Sequence, residues 1–322
     1  MEAAWAPGTK LTYGAGLLVY HVFCDTRNIA ELQRCPASIS LLLTFISACA
    51  GSYSGSALAN YIFAIRAWHI LHGANWPLNK AEISTALDGA TRLAPQSSKR
   101  PKRDPFTVSL LLQLRSTLDL SSPLDAAVFA CLTTTFWSMA RLGEFTLVAL
   151  KTFDPRKHIS RKCLREELDR KNRRVFVFAL PWTKVSSTGE DVYWSKQDGL
   201  ADLLTALHNH FLINDPPPDV ALFSWRHSSG LRPLTRSTFT KRLDDAAIAL
   251  QLPKLHYHGL RIGSVLEYLL RNVPFEAVKS MGRWSGDSFA LYLRKHAVIL
   301  APYIQNTPIL EEFSRLTLPP VC

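Results

Sequence analysis

The stretch 93–106 does most to limit how this chain can fold. Periodic apolar residues give way there to three prolines, Pro95, Pro101 and Pro105, and to the basic cluster Lys99, Arg100, Lys102 and Arg103. Proline fixes φ and removes a backbone donor, and a run of like charges resists burial, so neither a continuing helix nor a core strand can pass through. The break divides 322 residues into two pieces of ordinary domain size. The organisation expected is a domain over residues 1–97, a basic linker over 98–106 and a second domain over 107–322.

The first piece reads as helical. Pro36 is placed to open a helix that Gly51 closes, and Ser54 or Ser56 can cap a second. In that second helix Leu58, Tyr61, Ile62, Ile65 and Trp68 recur at helical spacing until Gly73. The longest apolar run, about 39–50, falls short of the ~20 residues a membrane span needs, so no membrane segment is expected. One lysine ahead of a broken apolar stretch does not make a signal peptide. The six cysteines, Cys24, Cys35, Cys49, Cys131, Cys163 and Cys322, form no C-x-x-C pair and have no histidines at finger spacing. Reduced thiols inside a cell, without structural zinc, are the expectation.

The second piece begins with a strong helix signal. Ser122-Pro123-Leu124-Asp125 offers a hydroxyl cap, proline at the first helical position and a carboxylate at the third, and the helix should run toward Met139. It delivers Ala140-Arg141-Leu142-Gly143-Glu144 at its end. Residues 151–174 carry ten Lys/Arg against four Asp/Glu. Val175–Leu180 and Asp191–Trp194 then read as strands joined by a turn holding Lys184 and Gly189. After Pro216–Pro218 the chain returns to helices, one from about His258 to Arg271 that Pro274 prevents from continuing. The fold class is mainly α, with a small antiparallel β-hairpin or sheet.

Charge is unevenly placed. Against 37 Lys/Arg and 26 Asp/Glu overall, net +11, residues 1–97 hold six and five, leaving 31 and 21 for the rest. A polyanion should therefore meet the later two-thirds, nucleic acid before an acidic membrane surface. Lys99, Arg100, Lys102 and Arg103 fit backbone phosphate contacts or a nuclear localisation signal, and also a merely solvated linker.

His258 and Arg261, three apart on a helix, can converge on one anion. H-x-x-R is a short pattern, and His158 with Arg161 matches it as well. Only His258 is followed by Gly282-Arg283-Trp284-Ser285-Gly286-Asp287 and then Phe289-Ala290-Leu291-Tyr292-Leu293-Arg294. Taken in order, Arg141 with Glu144, Lys184, His258 with Arg261, Trp284 and Tyr292 resemble the tyrosine recombinases, the phage-integrase-like family that breaks and rejoins DNA. Trp284 in place of a second histidine, eight positions ahead of Tyr292, resembles the eukaryotic mobile-element branch, Crypton-type or DIRS-like. The resemblance runs from about residue 20 to 305 and makes the first piece a helical core-binding (SAM-like) domain, the second the catalytic domain, closing together around duplex DNA.

Phosphoryl chemistry accounts for these residue types. The pentavalent transition state gathers negative charge on its nonbridging oxygens, for which two planar guanidiniums, Arg141 and Arg261, form a clamp. A phenol leaves more readily than an alcohol, so a Tyr292 ester can be reopened without ATP. The resemblance implies that Lys184 protonates the departing 5′ oxygen, that His258 takes or steers the tyrosine proton, that Trp284 donates its N–H, and that Glu144 orients its neighbours. Tyr268 and Tyr303 remain rivals for the nucleophile, and Lys151, Lys171 and Lys196 for the hairpin lysine. His69 with His72, and His208 with His210, lack carboxylate or cysteine company and read as surface or core residues. No metal and no cofactor are expected.

The function expected is a site-specific recombinase or integrase acting through a 3′-phosphotyrosine, as a homo-oligomer, dimer to tetramer, on double-stranded DNA in the nucleus. The alternatives are a type IB topoisomerase-like activity and a domesticated, non-catalytic DNA-binding protein. The apolar tail from Leu300, with Tyr303, Ile304, Ile309, Leu310 and Phe313, is expected to dock on a neighbouring protomer.

Overall fold

The computed structural model describes residues 5–99, 101–301 and 304. Arg100, Tyr303 and, of the tail expected to dock, Ile309, Leu310 and Phe313 lie outside the described residues. The chain divides between Lys102 and Arg103 into two compact units.

The first unit is made of α1 (Pro7–Thr26), α2 (Ile39–Cys49), α3 (Gly55–Leu71) and α4 (Lys80–Arg92). Ser54 caps α3 by accepting from the Ala57 N–H at 3.2 Å. Asn79 and Glu82 cap α4 reciprocally, each side chain 2.9 Å from the other's backbone nitrogen. Tyr20, Phe45, Leu58, Ile62 and Ile65 are fully buried and form the centre of the core. α2 starts later than Pro36 suggests. The Ala37 N–H donates to His69 Nε2 at 2.9 Å, which holds that residue outside the helix, and Ser38 supplies the cap to the Leu41 N–H at 3.1 Å.

The second unit surrounds α6 (Pro123–Trp137), whose residues from Asp125 to Trp137 are all buried. A helix apolar on every face can only be central. It packs against α8 (Leu203–Asn214), α9 (Arg236–Ala249) and α10 (Gly259–Leu270), with α5 (Val108–Ser116) and the short α7 (Leu142–Phe145) beside it. Ser122 makes no side-chain cap at α6, contrary to its sequence signal. Asp125 instead ties the helix start by accepting from the Asp119 N–H at 2.9 Å and from Arg242 Nε and Nη2, both at 2.7 Å.

The antiparallel sheet is mainly as expected, with one strand more: β1 (Leu164–Leu168), β2 (Arg174–Leu180) and β3 (Glu190–Trp194), in that order. Phe176 pairs with Trp194 across β2 and β3, their rings stacked at 4.4 Å. A two-stranded ribbon, β4 (Trp225–His227) and β5 (Gly230–Arg232), follows α8. Beyond α10 come α11 (Phe275–Met281), a 3₁₀ segment over Asp287–Tyr292 and α12 (His296–Leu300). Residues 103–106, assigned to a linker from their composition, belong to this unit, where the Phe106 N–H donates to the Gly259 carbonyl at 3.0 Å. Among the described residues no helix is long and apolar enough to cross a membrane.

Candidate functional site

The site assembles where α6 stops. Met139 takes φ of +49°, a left-handed conformation costing a non-glycine residue about 1 kcal/mol or more. Its carbonyl accepts from Arg261 Nη1 at 2.7 Å. Arg261 is only 2 % exposed, and its Nη2 donates to the Gly282 carbonyl. Two neutral acceptors, the Met139 and Gly282 carbonyls, hold this guanidinium in place. Burial and the nearby Arg141 push its pKa below the ordinary arginine value.

Aromatic rings cover the rest of it. The guanidinium carbon lies 4.1 Å from the Trp284 ring centroid and 5.6 Å from that of Tyr292. Trp284 and Tyr292 are 4.8 Å apart, and His258 completes the group at 5.2 Å from Tyr292. The Gly-Arg-Trp order has a steric reason: the Trp284 ring lies where a Cβ on Gly282 would be. His258 precedes the first turn of α10 yet keeps helical dihedrals, φ −65° and ψ −20°, so its i, i+3 relation to Arg261 survives. Partial desolvation, followed by Arg103, Arg261, Arg141 and Arg294, lowers the His258 pKa.

Arg141 heads the short helix α7, and Glu144 grips it twice, accepting from its N–H at 2.8 Å and from Nη1 at 3.0 Å. Burial alone would raise the Glu144 pKa, but Arg283, the Arg141 backbone N–H and the Arg141 charge together hold it below the usual carboxylate range. Arg141, His258 and Arg261 line one cavity of about 180 Å³ together with Arg236 and Tyr257. This is one cationic recess, walled by the N-terminal ends of α7, α9 and α10 and suited to a phosphate-sized anion.

Two residues here escape a reading of the sequence. Arg236 opens α9 and lines the recess. Arg283, between Gly282 and Trp284, donates to Glu144 at 2.7 Å and to Glu190 at 3.0 Å. The only local hint of Arg283 is a charged residue wedged between the glycine and tryptophan of a turn.

Lys184 does not line this recess. It is exposed on the β2–β3 connection, with no hydrogen bond or ion pair to another described residue. Its rival Lys171 lies in the β1–β2 turn, at the other end of β2, roughly 20 Å away for a strand of this length. Lys99, Lys102 and Arg103 are exposed.

Tyr268, His158, His69 and His210 are engaged in hydrogen bonds within the fold. Tyr268 donates its hydroxyl to the Trp137 carbonyl at 2.7 Å, and burial pushes its pKa up to about 12. His158 accepts from the Asp154 N–H at 2.9 Å, and its H-x-x-R partner Arg161 pairs with Asp215 at 3.1 Å and stacks on Phe211. His69 and His210 are buried and hydrogen-bonded. Among the described residues, no three His, Cys, Asp or Glu side chains could hold a metal together.

No protein-family model matches the chain, and no curated protein does. Solved structures do. XerA recombinase aligns with a TM-score of 0.43 at 14 % identity, over 95 % of this chain and 96 % of that one. A lambda integrase dimer bound to a COC′ core site gives 0.48 at 13 % identity, over 91 % and 73 %. The XerH site-specific recombinase, in a post-cleavage complex with a palindromic difH substrate, gives 0.56 at 13 % identity, over 91 % of this chain and 78 % of that one. A mainly helical chain with a small antiparallel sheet, superposing along nine-tenths of its length on XerH, has the tyrosine-recombinase fold.

Proposed function

We propose that this protein is a site-specific recombinase or integrase that cuts and rejoins duplex DNA through a phosphotyrosine on Tyr292. The observation that carries the reading is the convergence of His258, Arg261, Trp284 and Tyr292, with Arg141 on the same recess as His258 and Arg261. The XerH structure, which holds DNA after cleavage, supports it.

In this reaction the scissile phosphate sits in the recess, its nonbridging oxygens facing Arg141 and Arg261. The Tyr292 oxygen attacks phosphorus, the bond to the 5′ oxygen breaks, and the 3′ end is left esterified to the phenol. The phenolic proton passes to neutral His258, and the 5′ oxygen takes a proton from Lys184. Religation runs the same steps backwards. Trp284 holds Arg261 from its ring face and is free to donate its indole N–H. The exposed Lys99, Lys102 and Arg103, with Arg100 between them in sequence, meet the DNA backbone, which suits the basic charge of the later two-thirds of the chain.

Trp284 and its eight-residue interval to Tyr292 support the eukaryotic mobile-element branch, and the basic run at 99–103 supports nuclear import. Exchange between duplexes requires that protomers assemble on DNA.

The test uses the full-length protein with a pool of nicked and randomised duplexes, scored for covalent adduct. Tyr292→Phe keeps the ring and loses the nucleophile, so DNA binding survives and the adduct disappears. Tyr268→Phe retains the adduct. A nucleotide found by mass spectrometry on any residue but Tyr292 overturns the assignment.

A further inference from the structure

Arg283 has no place in the chemistry above, yet it is among the most constrained charges in the protein. Its side chain is 8 % exposed, its φ is +60°, and its Nε is buried without a partner. Burying a guanidinium this way gains little stability over an apolar side chain, so what it holds together matters more than what it stabilises. It joins three segments: its own turn ahead of Tyr292, Glu144 beside Arg141, and Glu190 at the start of β3.

The Glu190 contact leads to the lysine. Glu190 Oε2, which accepts from Arg283, also accepts from Thr183 Oγ1 at 2.6 Å. Thr183 is 1 % exposed and fixes the turn from inside. Its hydroxyl oxygen accepts the N–H groups of Val185 at 3.3 Å and Ser186 at 3.1 Å, and its own N–H donates to the Ser186 carbonyl at 2.9 Å. The backbone of Lys184 is thus enclosed by a loop anchored to Arg283 through one carboxylate. Gly189, φ +86°, completes the turn beneath the Leu180 carbonyl, where a Cβ cannot fit.

We propose that Arg283 is a positioning residue that sets the Lys184 turn relative to the tyrosine segment, acting through Glu190 and Thr183. The inference rests on the recombinase reading and on Lys184 as the proton donor. The planar fork of arginine spans two carboxylates at once, which a lysine ammonium does not reproduce. Displacing the turn by an ångström would leave Tyr292 and its phosphate clamp intact and misplace only the proton delivered to the 5′ oxygen.

A leaving group that needs no proton separates this role from a structural one. A duplex selected from the randomised pool by its adduct with the unaltered protein is made in two forms, with oxygen or with sulfur at the 5′ bridging position. Sulfur departs as a thiolate, without protonation. Thr183→Val removes the link and Glu190→Gln removes its charge, each with little change of shape, and Arg283→Lys removes its source. With oxygen, each variant should form adduct about tenfold or more slowly, as Lys184→Ala does, because general-acid catalysis contributes at least ~10²-fold. With sulfur, Lys184→Ala, Thr183→Val and Glu190→Gln should return to within a few-fold of the unaltered protein, whereas Arg283→Lys, which also loosens Glu144 beside Arg141, should recover only in part, so the two conservative variants carry the test. If Lys184→Ala recovers on sulfur while Thr183→Val and Glu190→Gln stay equally slow on both substrates, the positioning role is wrong and the recombinase reading stands. If Lys184→Ala itself does not recover, the proton-donor assignment falls and this inference with it. If the pool yields no adduct with the unaltered protein, both fall.

Discussion

The guanidinium of Arg261 rests 4.1 Å from the centre of the Trp284 ring, and no carboxylate among the described residues hydrogen-bonds to it. A desolvated cation over an indole gains about 2 kcal/mol from the ring quadrupole while keeping its full charge for an incoming anion. A carboxylate partner would compete with that anion.

Trp284→Ala should therefore cost stability beyond lost packing, about 3–5 kcal/mol in all. Trp284→Phe keeps a ring face and should cost about 1 kcal/mol. Denaturant midpoints at constant m-value check this. Equal losses in the two variants would mean that the ring face does not hold Arg261.

His258 titrates below the ordinary imidazole value because of partial desolvation and the cations Arg103, Arg261, Arg141 and Arg294. It stays neutral, and able to accept the Tyr292 proton, at pH values where a free histidine is already charged. Adduct formation should hold as pH falls through about 6.5 and decline only below it. Arg103→Ala should move that limb upward, and His258→Asn should erase it. A limb above 6.5 in the unaltered protein would remove His258 as the acceptor.

His210 gives a separate acid response, in stability. Burial holds its pKa at about 4, and its ring is bonded to the Leu222 carbonyl and to Asn214. The unfolded chain binds a proton at higher pH than the folded one, so the stability tied to neutral His210 is intact above the ordinary value and lost as pH falls toward 4. The loss approaches roughly 3 kcal/mol. Chemical denaturation between pH 7 and 4 should show it, and His210→Gln should flatten the curve.

Counterion release sets the salt response of DNA binding. Replacing Lys99 and Lys102 with alanine should make the slope of log affinity against log salt shallower by about 0.9 per lost phosphate contact, nearly uniformly across sequences. Competition titrations over a salt series measure this, and an unchanged slope would place those lysines off the DNA.

Local chemistry made some of this architecture legible and hid the rest. Ser54 and the β2–β3 hairpin announce themselves because their signals lie within a few residues. Strand β1 does not, because Leu-Arg-Glu-Glu-Leu is a largely exposed edge whose Arg165 is satisfied by Glu167 and by the distant Asp191. Ser122 failed as a cap because Arg242, far along the chain, takes Asp125 and fixes the helix start another way. The catalytic candidates were visible as residue types in order, and their convergence was not. Arg283 stayed hidden for the same reason as Arg242: both its carboxylates come from other elements.

The crowding of Arg261, Arg141, Arg103 and Arg294 around His258 has a cost for the protein on its own. Like charges held this close are frustrated, and an anionic guest turns their mutual repulsion into a shared attraction. Robustness and reactivity should then trade against each other at this spot: a variant that relieves the crowding melts later and reacts more slowly, whereas a bound phosphodiester raises the melting temperature without sacrificing speed.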